Sequence, residues 1–188
     1  MAPLLQPAEC TILLIDPRKQ HISTFDLARQ RGLIRAFNLI DNAASATAVP
    51  CYYALEHDAS GPQELLAIPC QTAKPRVHTL SNNGPSWTSS GIATALATEN
   101  RPCLVVCGFW LETSVTFMAL HALSSGFDTF LLMDATPSRA EDSRAPSSDR
   151  LLQAGVVPTT TDQLIAEWAE QTVDLQLRSD LSKLIQSG

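Results

Sequence analysis

Five short apolar runs alternate with stretches of helical spacing, and this alternation constrains the chain more than any other feature: Thr11 to Ile15, Val49 to Ala54, Cys103 to Cys107, Thr129 to Met133, and Val156 to Val157. Each run is apolar on both faces, as strands of a parallel sheet covered on both sides must be, whereas a half-wet antiparallel strand would alternate. Between them lie the expected helices. Phe25 to Ala48 carries Leu27, Ile34, Phe37 and Ile40 near helical spacing, with Ser23 or Thr24 as N-cap; Trp87 to Thr98, Thr113 to Ser124 and Ser148 to Ala154 are shorter. The last, Thr161 to about Ile185, opens with Thr160 and Gln163 at capping-box spacing. The alternation predicts an α/β fold of three layers, a mainly parallel sheet between helices, with right-handed crossovers. At 188 residues, with no repeat and no shift of composition, the whole span 1–188 reads as one domain. Two stretches break the rhythm: the proline-rich Glu56 to Pro85, mostly loop with a short helix near Glu64 and a short strand around Val77, and the polar connection Pro137 to Pro146.

Composition narrows the class further. Charged residues are only 17% and hydrophobic ones 45%, so much of the surface must be hidden in a core or in subunit contacts, and disorder is excluded. A net charge of −6 repels phosphate backbones and anionic membrane surfaces, which argues against nucleic acid and membrane as partners. The five cysteines form neither a CxxC pair nor a Cys/His cluster, and the four histidines show no ligand spacing; no metal and no disulfide framework is expected. Met1 to Glu9 lacks a signal-peptide pattern and no apolar stretch reaches the ~20 residues of a membrane span, so a cytoplasmic protein is expected. No glycine-rich phosphate loop follows any strand, and no cofactor is expected.

In an open parallel sheet, ligands bind beyond the carboxyl ends of the strands. Three positions qualify. Asp16 follows the apolar Ile12 to Ile15 and precedes Pro17; it is either a functional carboxylate or a cap of the loop. Ser114 follows the strand, glycine and turn of Val105-Val106-Cys107-Gly108-Phe109-Trp110, near the first turn of a helix, where the positive dipole end favours an anion. Thr113 and Ser114 also read as plain N-caps, the commoner use of such residues. Asp134 closes Phe130 to Met133 and can orient a loop rather than react.

Leu13-Leu14-Ile15-Asp16, then Cys103-Leu104-Val105-Val106-Cys107-Gly108 with a helix-starting nucleophile position six residues on, resembles the isochorismatase-like cysteine hydrolases. Ala119-Leu120-His121-Ala122-Leu123-Ser124-Ser125-Gly126-Phe127, the strand ending Met133-Asp134-Ala135, and Asp149-Arg150-Leu151-Leu152-Gln153-Ala154-Gly155-Val156 extend the likeness over most of the chain. The resemblance implies an Asp after the first strand, a Lys from the middle loop and a Cys that attacks a carbonyl or amide carbon, with a non-proline cis peptide near Phe109-Trp110. Carried over, Asp16 matches the Asp, Ser114 stands at the nucleophile position, and Asn82 at that of the Lys; Trp87, Phe109 and Trp110 are the implied substrate-binding aromatics. No lysine lies between Lys74 and Lys183, and Arg18 stands where many relatives carry Gln.

A serine hydroxyl is a far weaker nucleophile than a thiolate and needs an adjacent base. The expectation is therefore a hydrolase-like protein with weak or lost activity on a small amide, ester or vinyl ether, with Arg76 or Lys74 as stand-in cations. The competing expectation is a non-catalytic binding or oligomeric scaffold protein on the same fold. A multimeric branch of the family with an Arg in the middle loop, loosely matched by Arg76 and Trp87, points to a homo-oligomer that takes a small-molecule ligand.

Overall fold

The computed structural model describes residues 4–57, 64–66, 76–80 and 86–186. Six strands form one all-parallel sheet: β1 (Cys10–Ile15), β2 (Cys51–Glu56), β3 (Arg76–Leu80), β4 (Cys103–Gly108), β5 (Asp128–Leu132) and β6 (Val157–Thr159), in the order β3-β2-β1-β4-β5-β6. All five apolar runs are strands, and the sixth strand is the short one expected around Val77.

Successive side chains of a strand point to opposite faces, and both faces here are dry. Ile12 and Leu14 of β1 pack with Val105, Cys107 and Phe130 against α2 (Leu27–Thr47), α7 (Thr161–Gln171) and α8 (Leu175–Gln186). Leu13 and Ile15 pack with Leu104, Val106 and Leu131 against α4 (Ile92–Thr98), α5 (Thr116–Ser124) and α6 (Glu141–Ala154). The remaining helices are the short α1 (Lys19–Ile22) and α3 (Ser86–Ser89). The expected three layers follow from this two-sided burial.

Several helix limits differ from the sequence expectation, each for a local reason. α2 begins two residues later because Asp26, not Ser23 or Thr24, caps it, its carboxylate accepting the Arg29 N–H at 2.9 Å. α3 and α4 are separate because Gly91 between them takes a left-handed φ of 74°. α6 starts at Glu141 and carries Pro146 inside it, because the Arg144 guanidinium donates to the carbonyls of Thr136 and Met133 and pins the start of the helix. The single C-terminal helix is two: α7 ends at Gln171, and Asp174 starts α8 by accepting the Gln176 and Leu177 N–H groups. Thr160 does cap α7, accepting the Gln163 N–H at 3.2 Å. Where a short helix was expected near Glu64, residues 64–66 instead run extended, with Leu65 bridging Arg18.

The strand order reverses beside β1. From β1 the chain winds outward through β2 to β3, then returns to the other side of β1 as β4. Such a reversal leaves a crevice at the carboxyl ends of the two strands that flank it, because their crossover helices lie on opposite faces. Asp16 follows β1 and the turn to Ser114 follows β4. Among the described residues, no helix is long and apolar enough to cross a membrane. Cys10, Cys51, Cys103 and Cys107 are buried free thiols.

Candidate active site

Asp16 turns out of β1 with a left-handed φ of 44° and is 1% exposed. A carboxylate in that position must be paired, because desolvating it alone costs several kcal/mol. Its Oδ1 forms an ion pair with the Arg18 guanidinium, 2.8 Å from Nε, and accepts the Glu56 N–H at 3.0 Å, and its Oδ2 lies 2.6 Å from the His21 Nε2. Arg18 is itself buried and donates to the Glu56 carbonyl as well. Asp16 and Arg18 thus neutralise each other, and together they tie the end of β1 to the end of β2.

The opposite wall comes from the β4 turn. Gly108 has a φ of 119°, and a Cβ there would meet the Ile15 carbonyl oxygen at 2.1 Å, so only glycine lets β4 lie this close to the end of β1. The Phe109 N–H donates to that carbonyl at 2.7 Å, and the Phe109-Trp110 peptide is cis, as the family resemblance implies. Leu111–Val115 then forms a π-helical turn that leads into α5. Ser114 lies in this turn, two residues ahead of α5, and its hydroxyl donates to the Glu56 carboxylate. Neither Thr113 nor Ser114 acts as an N-cap: Trp110 and Val115 occupy those positions without side-chain bonds, and the buried Thr113 hydroxyl has no hydrogen-bond partner among the described residues.

Around Asp16 and Ser114 stands an aromatic group. The His21 ring lies 5.2 Å from Phe109 and 5.3 Å from Trp110, centroid to centroid; Phe25 and the Arg139 guanidinium also lie on Trp110, at 5.7 and 5.2 Å. Phe109 is wholly buried and stacks on Phe37, so it backs His21 rather than facing a ligand. Trp87 stands apart from this group: its ring partners are His121 and Phe127, and its indole N–H donates to Ser125. Arg76 is no stand-in cation. It opens β3 at the far end of the sheet, bound to Glu99 and the Tyr52 hydroxyl. β3 ends at Leu80 beside Glu56, on the site's side; Asn82 and Lys74 lie outside the described residues. Asp134 orients a loop, accepting the Thr161 N–H and hydroxyl at the start of α7.

Two site residues escaped the sequence reading. Glu56 lies two residues beyond the second apolar run and read as the start of a loop, whereas it is the last residue of β2. His21 had no visible partner, since Asp16 meets it only through the turn that follows β1. A cavity of about 340 Å³ opens between α1 and α2, but Asp16, His21, Glu56 and Ser114 do not line it, and the Lys19 ammonium at its edge is paired with Glu64 at 2.9 Å. The chemistry and this cavity therefore lie apart, and the charged cluster marks the candidate site. Among the described residues no group of three His, Cys, Asp or Glu side chains is placed to hold a metal ion.

An all-parallel six-stranded sheet between two layers of helices, with its strand order reversing beside β1, is the architecture of the isochorismatase-like α/β class. Residues 10–163 match the Isochorismatase domain, and the chain belongs to that family. A probable hydrolase of Escherichia coli, YcaC, is 34% identical over 70 residues, 37% of this chain and about a third, 34%, of that relative's length. The crystal structure of the E. coli YcaC gene product, an octameric hydrolase of unknown specificity, superposes with a TM-score of 0.76 at 21% identity over 100% of this chain and 98% of that one. The MAR1 ribonuclease of Caenorhabditis elegans gives 0.77 at 16% over 98% and 93%, and an isochorismatase of Pseudomonas putida 0.69 at 17% over 86% and 92%. At these identities the likeness speaks for the fold.

Proposed function

We propose that this chain is an isochorismatase-family protein that has left the thiol chemistry of its relatives, so that its turnover of small amides, esters or vinyl ethers is weak or lost. The observation that carries this reading is the bond from the Ser114 hydroxyl to Glu56. A hydroxyl at the nucleophile position needs a base that takes its proton and a cation that steadies the developing charge. Here the Glu56 carboxylate can take the proton but supplies no positive charge, and the buried guanidinium of Arg18 is already committed to Asp16 and the Glu56 carbonyl. Excess negative charge at Ser114 opposes an attacking alkoxide and an oxyanion alike. Asn82 at the lysine position supplies no charge. The ligand is a small molecule, with Trp110 as its aromatic wall.

A panel containing nicotinamide, isochorismate and simple amides and esters should give rates at or only slightly above a buffer blank. Turnover at hundreds of times the blank that disappears in Ser114→Ala would refute the reading, since it would make the serine an effective nucleophile. A purely non-catalytic ligand-binding or scaffold role is the limiting case of the same chemistry. The protein is also proposed to self-associate: Val173 and Leu175 at the α7–α8 corner are 97% and 78% exposed, Phe117 is 55% exposed, and the structural relative YcaC is an octamer. Light scattering on the purified chain should report a mass that is a multiple of 20.3 kDa. The four buried free thiols suit a reducing compartment such as the cytoplasm.

A further inference from the structure

We propose that His21, oriented by Asp16, is the proton-carrying group of this site and presents its Nδ1 to the bound molecule. This rests on the reading that ligands enter between Asp16 and Ser114. Asp16 itself is badly placed to exchange protons with a ligand. Its side chain is 2% exposed, Oδ1 is taken up by the Arg18 ion pair and the Glu56 N–H, and Oδ2 faces His21. The His21 side chain is 16% exposed and forms the outward continuation of that carboxylate.

The tautomer follows from the partner. An ionised carboxylate only accepts hydrogen bonds, so the Nε2 at 2.6 Å carries the hydrogen and the neutral ring keeps its lone pair on Nδ1. Among the described residues Nδ1 has no hydrogen-bond partner. Ring orientation is held from two more sides by Phe109 and Trp110. A histidine locked by a carboxylate on one nitrogen, with the other nitrogen free, is the arrangement that general acid–base catalysis needs. The charged groups about it are Asp16 and Arg18, which cancel, Glu56 behind them on β2, Lys19 on its own helix, and Arg139 across the Trp110 ring. With the acid–base pair intact and the nucleophile compromised, water becomes the attacking group and an ester with a good leaving group the substrate class. As the water oxygen bonds to the carbonyl carbon, one water proton passes to Nδ1. The C–O bond then breaks, and the imidazolium returns that proton to the departing oxygen. The products are one acid and one alcohol, with the ring restored.

Hydrolysis of p-nitrophenyl acetate at pH 8 by the full chain tests this. The protein-dependent rate should fall at least tenfold in His21→Phe, which keeps an aromatic ring against Phe109 and Trp110, and should stay within a factor of two in the control His121→Gln on the exposed face of α5. Imidazole ¹⁵N spectra of the wild-type protein provide a readout independent of turnover: His21 should show hydrogen on Nε2 and none on Nδ1, and Asp16→Asn should abolish that preference. An unchanged rate in His21→Phe, a hydrogen resident on Nδ1, or no hydrolysis of this ester by the wild-type chain would each overturn the assignment. The last result would leave the proposal of weak or lost activity standing, whereas strong Ser114-dependent turnover of the amide panel would remove that proposal without touching the tautomer.

Discussion

Asp41 offers a quantitative test of the packing on the α2 face of the sheet. It lies among the buried residues of α2, between Ile40 and Ala43, is 3% exposed, and its Oδ1 finds no hydrogen-bond donor among the described residues. Burial pushes its carboxyl up from 3.8 to about 6. A raised value in the folded state means that the native protein holds the proton more tightly than the unfolded chain. The associated stability is therefore full below 3.8 and lost as the pH rises through about 6. At about 1.4 kcal/mol per tenfold change in proton affinity, the buried charge costs roughly 3 kcal/mol at pH 8, and only a small part of that remains at pH 4. Asp41→Asn removes the charge and keeps the shape. The new amide brings its own hydrogen-bond demands, but these do not vary with pH. The stability difference between variant and wild type should therefore shift in the variant's favour by roughly 2 kcal/mol between pH 4 and pH 8. Urea denaturation at both pH values, followed by tryptophan fluorescence at one fixed protein concentration, measures that shift. A shift below about 0.5 kcal/mol would refute the reasoning and mean that Asp41 is solvated or paired in the folded protein.

Three further substitutions probe the site. Ser114→Cys should give a thiol that reacts with iodoacetamide faster than the buried Cys10, Cys51, Cys103 and Cys107 but more slowly than free cysteine, because the Glu56 carboxylate opposes ionisation; adding Glu56→Gln should raise the rate several-fold, and no gain on that second change would remove Glu56 as the cause. Gly108→Ala should destabilise the fold by about 3 kcal/mol or more, since its methyl would overlap the Ile15 backbone at a φ that alanine avoids; a denaturation midpoint near that of the wild type would show that β1 and β4 separate easily.

Fold class was legible because two-sided burial writes itself as uninterrupted apolar runs, and every such run here became a strand. Helix limits were less so. Ser23 or Thr24 was expected to cap α2, but Asp26, two or three residues on, does so through its bond to the Arg29 N–H. Pro146 argued locally for a loop, and the Arg144 anchors that override it lie on residues far enough back to leave no periodic trace. Within the site, Asp16 and Ser114 were legible from the rule that ligands gather at strand ends. Arg76 illustrates the opposite failure: its charge suggested a substitute for the missing lysine, yet its position at the start of a parallel strand puts it at the wrong edge of the sheet. Glu56 and His21 acquire meaning only after the strand ends converge, which no spacing in the chain expresses.

The cluster at the end of β1 also has a history in time. The bond from Glu56 to Asp16 closes a separation of 40 residues and that from Ser114 to Glu56 one of 58, so the pocket has no local precursor. On a ribosome adding about 5–20 residues per second, Asp16 is made roughly 5–20 s before Ser114. During that interval its charge is answered by Arg18 and His21, two and five residues along the same turn, both within reach before any crossover has formed. The first strand can therefore enter a growing sheet with its terminal carboxylate already compensated, and the serine turn closes over a finished ion cluster rather than having to create it.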